Sequence, residues 1–143
     1  MPQRWDDTWQ ILVERAQQAI QLSYAPYSNY HVGCACLLED GTILQGANVE
    51  NASFPLSMCA ERIALYTALM QHPAKVIRRL CILSKPSSLL TPCGACRQVL
   101  FEIEWRQQTA ISILCYKDTK HYHIYPSAHS LLPDAFSPSI LSR

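Results

Sequence analysis

The sequence predicts an α/β layer fold, with helices stacked on a sheet, over residues 1–143 as a single domain. Three observations predict it. Apolar spacing switches between a helical and an extended period in the order helix, two strands, helix, strand, helix, two strands. A strand–helix–strand unit in one sheet normally crosses over right-handedly, which lays its helix on the sheet. Composition is that of a globular domain, 49% apolar and 16% charged over 143 residues, large enough to bury a core without staples. No internal repeat or linker interrupts it.

Trp9, Leu12, Val13, Ala16 and Ile20 recur at helical spacing and predict a first amphipathic helix. "YAPYSNY" ends it with Pro26, Ser28 and Asn29. "HVGCACLL" and "TILQGANV" flank Asp40-Gly41, a hairpin signal. A second helix is expected from Cys59 to about Gln71, closed by His72-Pro73. "VIRRLCILS" reads as a buried strand, and the loop "KPSSLLTP" leads to a third helix from Cys93 to about Glu104. "AISILCY" and "HYHIY" form a last pair of strands around Lys117-Asp118, and the Pro- and Ser-rich tail is expected to hold only a short helix or turn.

A formal charge of +1 argues against a nucleic-acid footprint and gives no attraction to an anionic membrane. No apolar run approaches the roughly 20 residues of a membrane helix. Asp6, Asp7, Glu14 and Arg15 stand where a signal peptide would be apolar, so a cytoplasmic location is expected. Seven cysteines cannot all pair within one chain, and in a reducing compartment clustered cysteines bind metal or do chemistry.

The cluster that matters is "CAER" at Cys59 to Arg62 and "TPCGACRQ" at Thr91 to Gln98. Residues two apart inside a helix point to nearly opposite sides, so Cys59 and Glu61 can share a site only at the very start of their helix. Cys93 and Cys96, three apart, already share a face. Two helix N-termini would then converge, and their positive ends favour thiolates. Three thiolates without a fourth protein ligand leave an open position, the pattern of a catalytic Zn²⁺, with Glu61 near to take a proton from water. Three thiolates also leave the ion with a formal charge of −1, which weakens its pull on water; Arg62 could donate to the sulfurs and partly restore it. Cys-x-x-Cys before a helix also suits a thioredoxin-like redox pair, whereas a closed structural zinc site would need one more ligand. Cys34, Cys36, Cys81 and Cys115 lie in expected strands without ligand spacing and read as core. His121 and His123 read as an exposed edge, and Glu102 and Glu104 as solvated helix charges.

From "APYSNY" at Ala25 to "LLPDAF" at Leu131, through "DGTILQGANVENASFP", "CAER" and "PCGACRQVLFE", the chain resembles the short, homotetrameric, Cys₃-zinc form of cytidine deaminase. The resemblance implies a three-layer α/β/α fold with a mixed five-stranded sheet. It also implies one Zn²⁺ per subunit on Cys59, Cys93 and Cys96, with Glu61 as proton shuttle. Asn48 and Glu50 of "NVEN" would bond the sugar hydroxyls, with Val49 and Ala52 also against the substrate. Tyr30 stands where the family's aromatic, usually phenylalanine, packs on the pyrimidine, which adds a hydroxyl near the base. The carbonyl of Thr91 would accept from the amine, and Phe54 and Phe136 would reach sites in neighbouring subunits of a homotetramer. The implied reaction converts cytidine and 2′-deoxycytidine to the uridine products and ammonia. A blasticidin-type deaminase shares the zinc residues, and a catalytically silent zinc-stabilised module is the reading from a different class. A nucleic-acid-editing deaminase is disfavoured by the short chain and the missing basic stripe.

Overall fold

A computed structural model describes residues 4–85 and 88–141. Its order is α1 (Asp7–Ile20), β1 (His31–Leu38), β2 (Ile43–Ala47), α2 (Ala60–Gln71), β3 (Ile77–Lys85), α3 (Gly94–Gln107), β4 (Ser112–Asp118) and β5 (His121–Tyr125). Short 3₁₀ turns at Phe54–Leu56, Ala128–Leu131 and Pro138–Ile140 complete it. The elements follow the expected sequence. Of the expected 85–92 loop, Pro86 and Ser87 lie outside the described residues.

The five strands make one mixed sheet in the order β2-β1-β3-β4-β5. Only β3 and β4 run parallel, joined through α3, while β1/β2, β1/β3 and β4/β5 are antiparallel. The hairpin forms where Asp40-Gly41 predicts it: Gly41 takes a positive φ of 89°, and the Asp40 carboxylate accepts from Thr42 N–H.

Alternation along the strands divides the core. On one face Ala35, Cys81, Leu83 and Leu114 pack against Trp9, Leu12, Val13 and Ala16 of α1. On the other, Cys34, Cys36, Leu80, Ile82, Ile113 and Cys115 pack against α2 and α3. The result is the expected three-layer α/β/α arrangement. All four strand cysteines are buried core residues, and burial pushes their thiols up, Cys36 and Cys115 to about 12. Asp6 caps α1 by accepting from Trp9 N–H and also binds both terminal nitrogens of Arg79, whose guanidinium lies over the Trp9 ring.

Two glycines set how closely the helices approach. A β-carbon on Gly33 would sit 2.0 Å from the Ala16 carbonyl oxygen of α1. On the opposite face, one on Gly46 would sit 2.2 Å from the Ala60 carbonyl oxygen and 2.7 Å from Ala64 N of α2. With Ala60, Ala64 and Ala68 also small, α2 rests its backbone almost on the sheet.

Glu104 departs from the sequence expectation. Glu102 is exposed, but Glu104 is 5% exposed. The segment after β5 folds back over α3, and the Glu104 carboxylate accepts from Ile111 N–H, Ala128 N–H and Ser127 Oγ–H and contacts His129 Nδ1 at 2.6 Å. Helical periodicity could not reveal this, because the covering residues are 23 to 25 positions away. Burial alone would raise the pKa of Glu104; the hydrogen bonds outweigh it and hold the carboxyl below its ordinary 4.5.

Two outcomes follow from this packing. Gly33→Ala and Gly46→Ala should each lower the melting temperature through overpacking of about 1–3 kcal/mol, whereas Gly94→Ala, with open space at its β-carbon, should not. Glu104→Gln should cost about 1–3 kcal/mol near neutral pH in denaturant titrations. Because the folded pKa is depressed, this stabilisation is complete above the ordinary 4.5 and is lost as pH falls through the lower folded value. The gap between wild type and variant should therefore narrow on acidification.

Candidate active site

Two helices begin at the same place. The N-cap residues are Cys59 for α2 and Cys93 for α3, both with extended backbone. Neither thiol caps its own helix, which leaves both free to face one another. Each approach is pinned. Val49 and Met58 exchange backbone hydrogen bonds of 3.0 and 2.8 Å, so the residue before Cys59 is tied to the extension of β2. Before Cys93, Arg97 donates from Nε to the Pro92 carbonyl at 2.6 Å and from Nη2 to Thr91 Oγ1 at 3.0 Å.

The three sulfurs of Cys59, Cys93 and Cys96 lie within 4.8 Å of one another, with Cys59 and Cys93 3.8 Å apart. Tetrahedral Zn–S bonds of about 2.3 Å require sulfurs about 3.8 Å apart, so the cluster fits that ion. No other group of three or more such ligand residues occurs among the described residues. Hydrogen bonding from Cys96, with smaller contributions from Arg62 and Cys93, outweighs burial and brings the Cys59 thiol down to about 5. Cys96, the donor in that bond and itself buried, is raised. Arg62 Nη2 stands 3.6 Å from the Cys59 sulfur, the partner expected for it, and this contact with thiolate keeps its guanidinium firmly protonated.

Glu61 is 3% exposed in the first turn of α2 and lines the same cavity as Cys59 and Cys93. Burial pushes its carboxyl up to about 7, and the neighbouring charge on Cys59 adds to the effect. A carboxyl with that affinity can both accept and return a proton near neutrality.

The cavity, about 340 Å³, brings together Tyr30, Asn48, Glu50, Cys59, Glu61, Thr91 and Cys93 of the expected set, with Val32, Met58 and Leu90 as apolar walls. Cys96 sits buried behind it. Asn48 is oriented by the fold: Nδ2 donates to the Tyr30 carbonyl, and Oδ1 accepts from Val32 N–H and Ser23 Oγ–H. Glu50 is held by Ser28 Oγ–H and by the N–H groups of Tyr27 and Ser28, bonds that keep its carboxyl below the ordinary range.

Four expected residues do not line this chain's cavity. Val49 is committed to backbone pairing, Ala52 is exposed, and Phe54 and Phe136 are 69% and 55% exposed. Phe54 lies edge-on to Tyr27 at 5.9 Å, and Gln98 Nε2 donates to the Phe136 carbonyl. The Tyr30 hydroxyl meets Ser84 Oγ at 3.1 Å and Ser88 Oγ at 2.7 Å, contacts that the sequence did not reveal. Arg97 and Gln98 were missed by sequence reasoning. Their signal lay in the run "CRQ": Arg97 is four residues beyond Cys93, above the start of the same helix.

Comparison with known proteins identifies the family. The family model for the cytidine and deoxycytidylate deaminase zinc-binding region matches residues 6–112. A cytidine deaminase of Halalkalibacterium halodurans is 41% identical over 113 residues, covering 79% of this chain and 76% of that protein. One of Mycobacterium tuberculosis is 42% identical over 97 residues, covering 68% and 72%. Among solved structures, cytidine deaminase from Burkholderia pseudomallei superposes with a TM-score of 0.79 at 38% identity, over 89% of this chain and 98% of that one. The Mycobacterium tuberculosis enzyme gives 0.72 at 34% identity, over 92% and 98%. With its three thiols and buried glutamate in place, the chain belongs to the cytidine and deoxycytidylate deaminase zinc-binding family.

Proposed function

We propose that residues 1–143 form one deaminase domain that hydrolyses cytidine and 2′-deoxycytidine to uridine and 2′-deoxyuridine, releasing ammonia. The observation that carries this reading is the position of Glu61, a buried carboxyl of raised affinity on the wall of a cavity that also holds Cys59 and Cys93 of the thiol cluster. Cys59, Cys93 and Cys96 would hold Zn²⁺, which when bound acidifies a water molecule in its open position. Glu61 takes one proton from the attacking water and delivers it to N3 of the ring as the water oxygen bonds to C4. It then takes the proton of that new hydroxyl and gives it to the departing amino group, so that the C4–N bond breaks, ammonia leaves and C4 keeps the oxygen as a carbonyl. Arg62 offsets part of the negative charge of three thiolates. The Tyr30 ring packs on the pyrimidine, the Thr91 carbonyl accepts from the amine, and Asn48 and Glu50 meet the sugar with Val49 and Ala52 close by.

A nucleoside rather than a nucleotide is favoured by the lining. Among the described residues it carries Glu50 and Glu61 but neither lysine nor arginine, so a 5′-phosphate would find no cation there. A blasticidin-type substrate remains the rival, separated by assaying both compounds. The proposed location is the cytoplasm, a reading supported by seven unpaired cysteines. No described helix is long and apolar enough to cross a membrane.

The proposed assembly is a homotetramer with shared sites. Phe54 and Phe136 stand outside this chain's own cavity, and Leu56 and Met70 are exposed with them, at 68% and 74%.

Conversion of cytidine, followed by the ultraviolet change, tests the reaction. Glu61→Gln should keep zinc and lose about 10²–10⁴-fold or more in turnover, and a near-normal rate would refute the assignment. Light scattering should give four times the 16.2 kDa chain mass, with activity per chain falling where dilution produces monomers. A fully active monomer would remove Phe54 and Phe136 from the site.

A further inference from the structure

The cavity wall at Thr91 is exposed, yet it is not free to reorient. Pro92, whose ring fixes its own φ and keeps Thr91 extended, is buried beneath it. Arg97 grips the same two residues from behind. Its Nε donates to the Pro92 carbonyl at 2.6 Å and its Nη2 to Thr91 Oγ1 at 3.0 Å, while Nη1 donates to the Leu131 carbonyl of the tail at 3.0 Å. All three guanidinium nitrogens are thus in use, each on a neutral acceptor. Arg97 forms no ion pair among the described residues.

This pattern has a consequence for what Thr91 can show to a ligand. Its hydroxyl faces Arg97, and the next carbonyl along the chain is held there too. The group of Thr91 left for the cavity is its own backbone carbonyl, which no described backbone N–H engages. The tail contact adds stiffness, because Leu131 ends the 3₁₀ turn that Glu104 anchors through Ser127 and Ala128. Gln98, the next residue on α3, holds the tail at Phe136. One planar, permanently charged fork therefore joins the ligand-facing loop to the returning tail. Lysine, with a single nitrogen on a flexible stem, cannot meet three acceptors lying in separate directions.

We infer that Arg97 is a positioning residue that holds the Thr91 carbonyl in the orientation which reads a 4-amino group on the pyrimidine. This rests on the deaminase reading and deepens it: Arg97 touches neither substrate nor metal, and acts through the Thr91–Pro92 peptide. Selectivity for an amine-bearing ring is then set by a residue outside the cavity lining.

The test compares holoenzymes carrying Arg97→Lys, Arg97→Gln and Thr91→Val, the last removing only the hydroxyl that Arg97 holds. Two ligands are used: cytidine as substrate, and the ribonucleoside of pyrimidin-2-one, which lacks the 4-amino group, as inhibitor. Both Arg97 variants should lose at least about tenfold in kcat/KM for cytidine, and Thr91→Val a smaller factor in the same direction. Zinc content should stay at one per chain, and the inhibition constant should move less than about threefold. Equal losses for both ligands, or loss of zinc, would overturn the inference by showing general damage to the pocket. Unchanged kinetics in a wild-type-active background would overturn it alone. If the Arg97 variants do not fold, Thr91→Val decides through the same two-ligand ratio. Wild type without turnover of cytidine would overturn the deaminase reading, and this inference with it.

Discussion

The start of α2 touches the sheet, and the chemistry of this chain depends on that contact. Gly46 has no side chain, so the Ala60 carbonyl of α2 comes within 2.2 Å of where a β-carbon would be. Ala60 lies between Cys59 and Glu61, so the depth at which α2 sits sets the position of both. Cys59 then stands 3.8 Å from Cys93, a spacing that one tetrahedral ion can satisfy. Withdrawal of α2 by even one ångström would open that triangle and move Glu61 with it.

Bringing two helix N-termini together in a partly buried place has an electrostatic logic. Each end presents unpaired N–H groups and a partial positive charge, which suits thiolates and opposes cations. Arg62 adds a full positive charge against Cys59, whose thiol is brought down to about 5. The same burial that favours compact packing works the other way on Glu61, pushing it up to about 7. Two acidic groups two residues apart are therefore driven in opposite directions. One becomes a ligand and the other a proton carrier, and this division of roles comes from their surroundings rather than from their intrinsic chemistry.

The tail contributes more than its composition indicates. Residues 126–136 lie along α3, held by Glu104 toward the far end and by Arg97 and Gln98 in the first turns. The returning segment buries a carboxylate that helical spacing alone would leave in water. It also presents Phe136 outward. Loop, helix and tail form one connected unit behind the cavity, in which a guanidinium and a buried carboxylate do the joining.

Much of this was legible in the residues alone. Element order, the hairpin at Asp40-Gly41, the four buried strand cysteines and the start of both helices at Cys59 and Cys93 follow from local periodicity, turn chemistry and ligand spacing, which act over a few residues. The environment of Glu104, the outward placement of Phe54 and Phe136, the capture of the Tyr30 hydroxyl by Ser84 and Ser88, and the grip of Arg97 were decided by the tertiary structure. Each joins residues across a fold-back or between separate elements, except the short link from Arg97 to Thr91 and Pro92, whose direction is set only once α3 has formed. Local pattern specifies which residues can begin a helix or line a strand. Which groups meet at its end is specified only when the layers have packed and a glycine has let them touch.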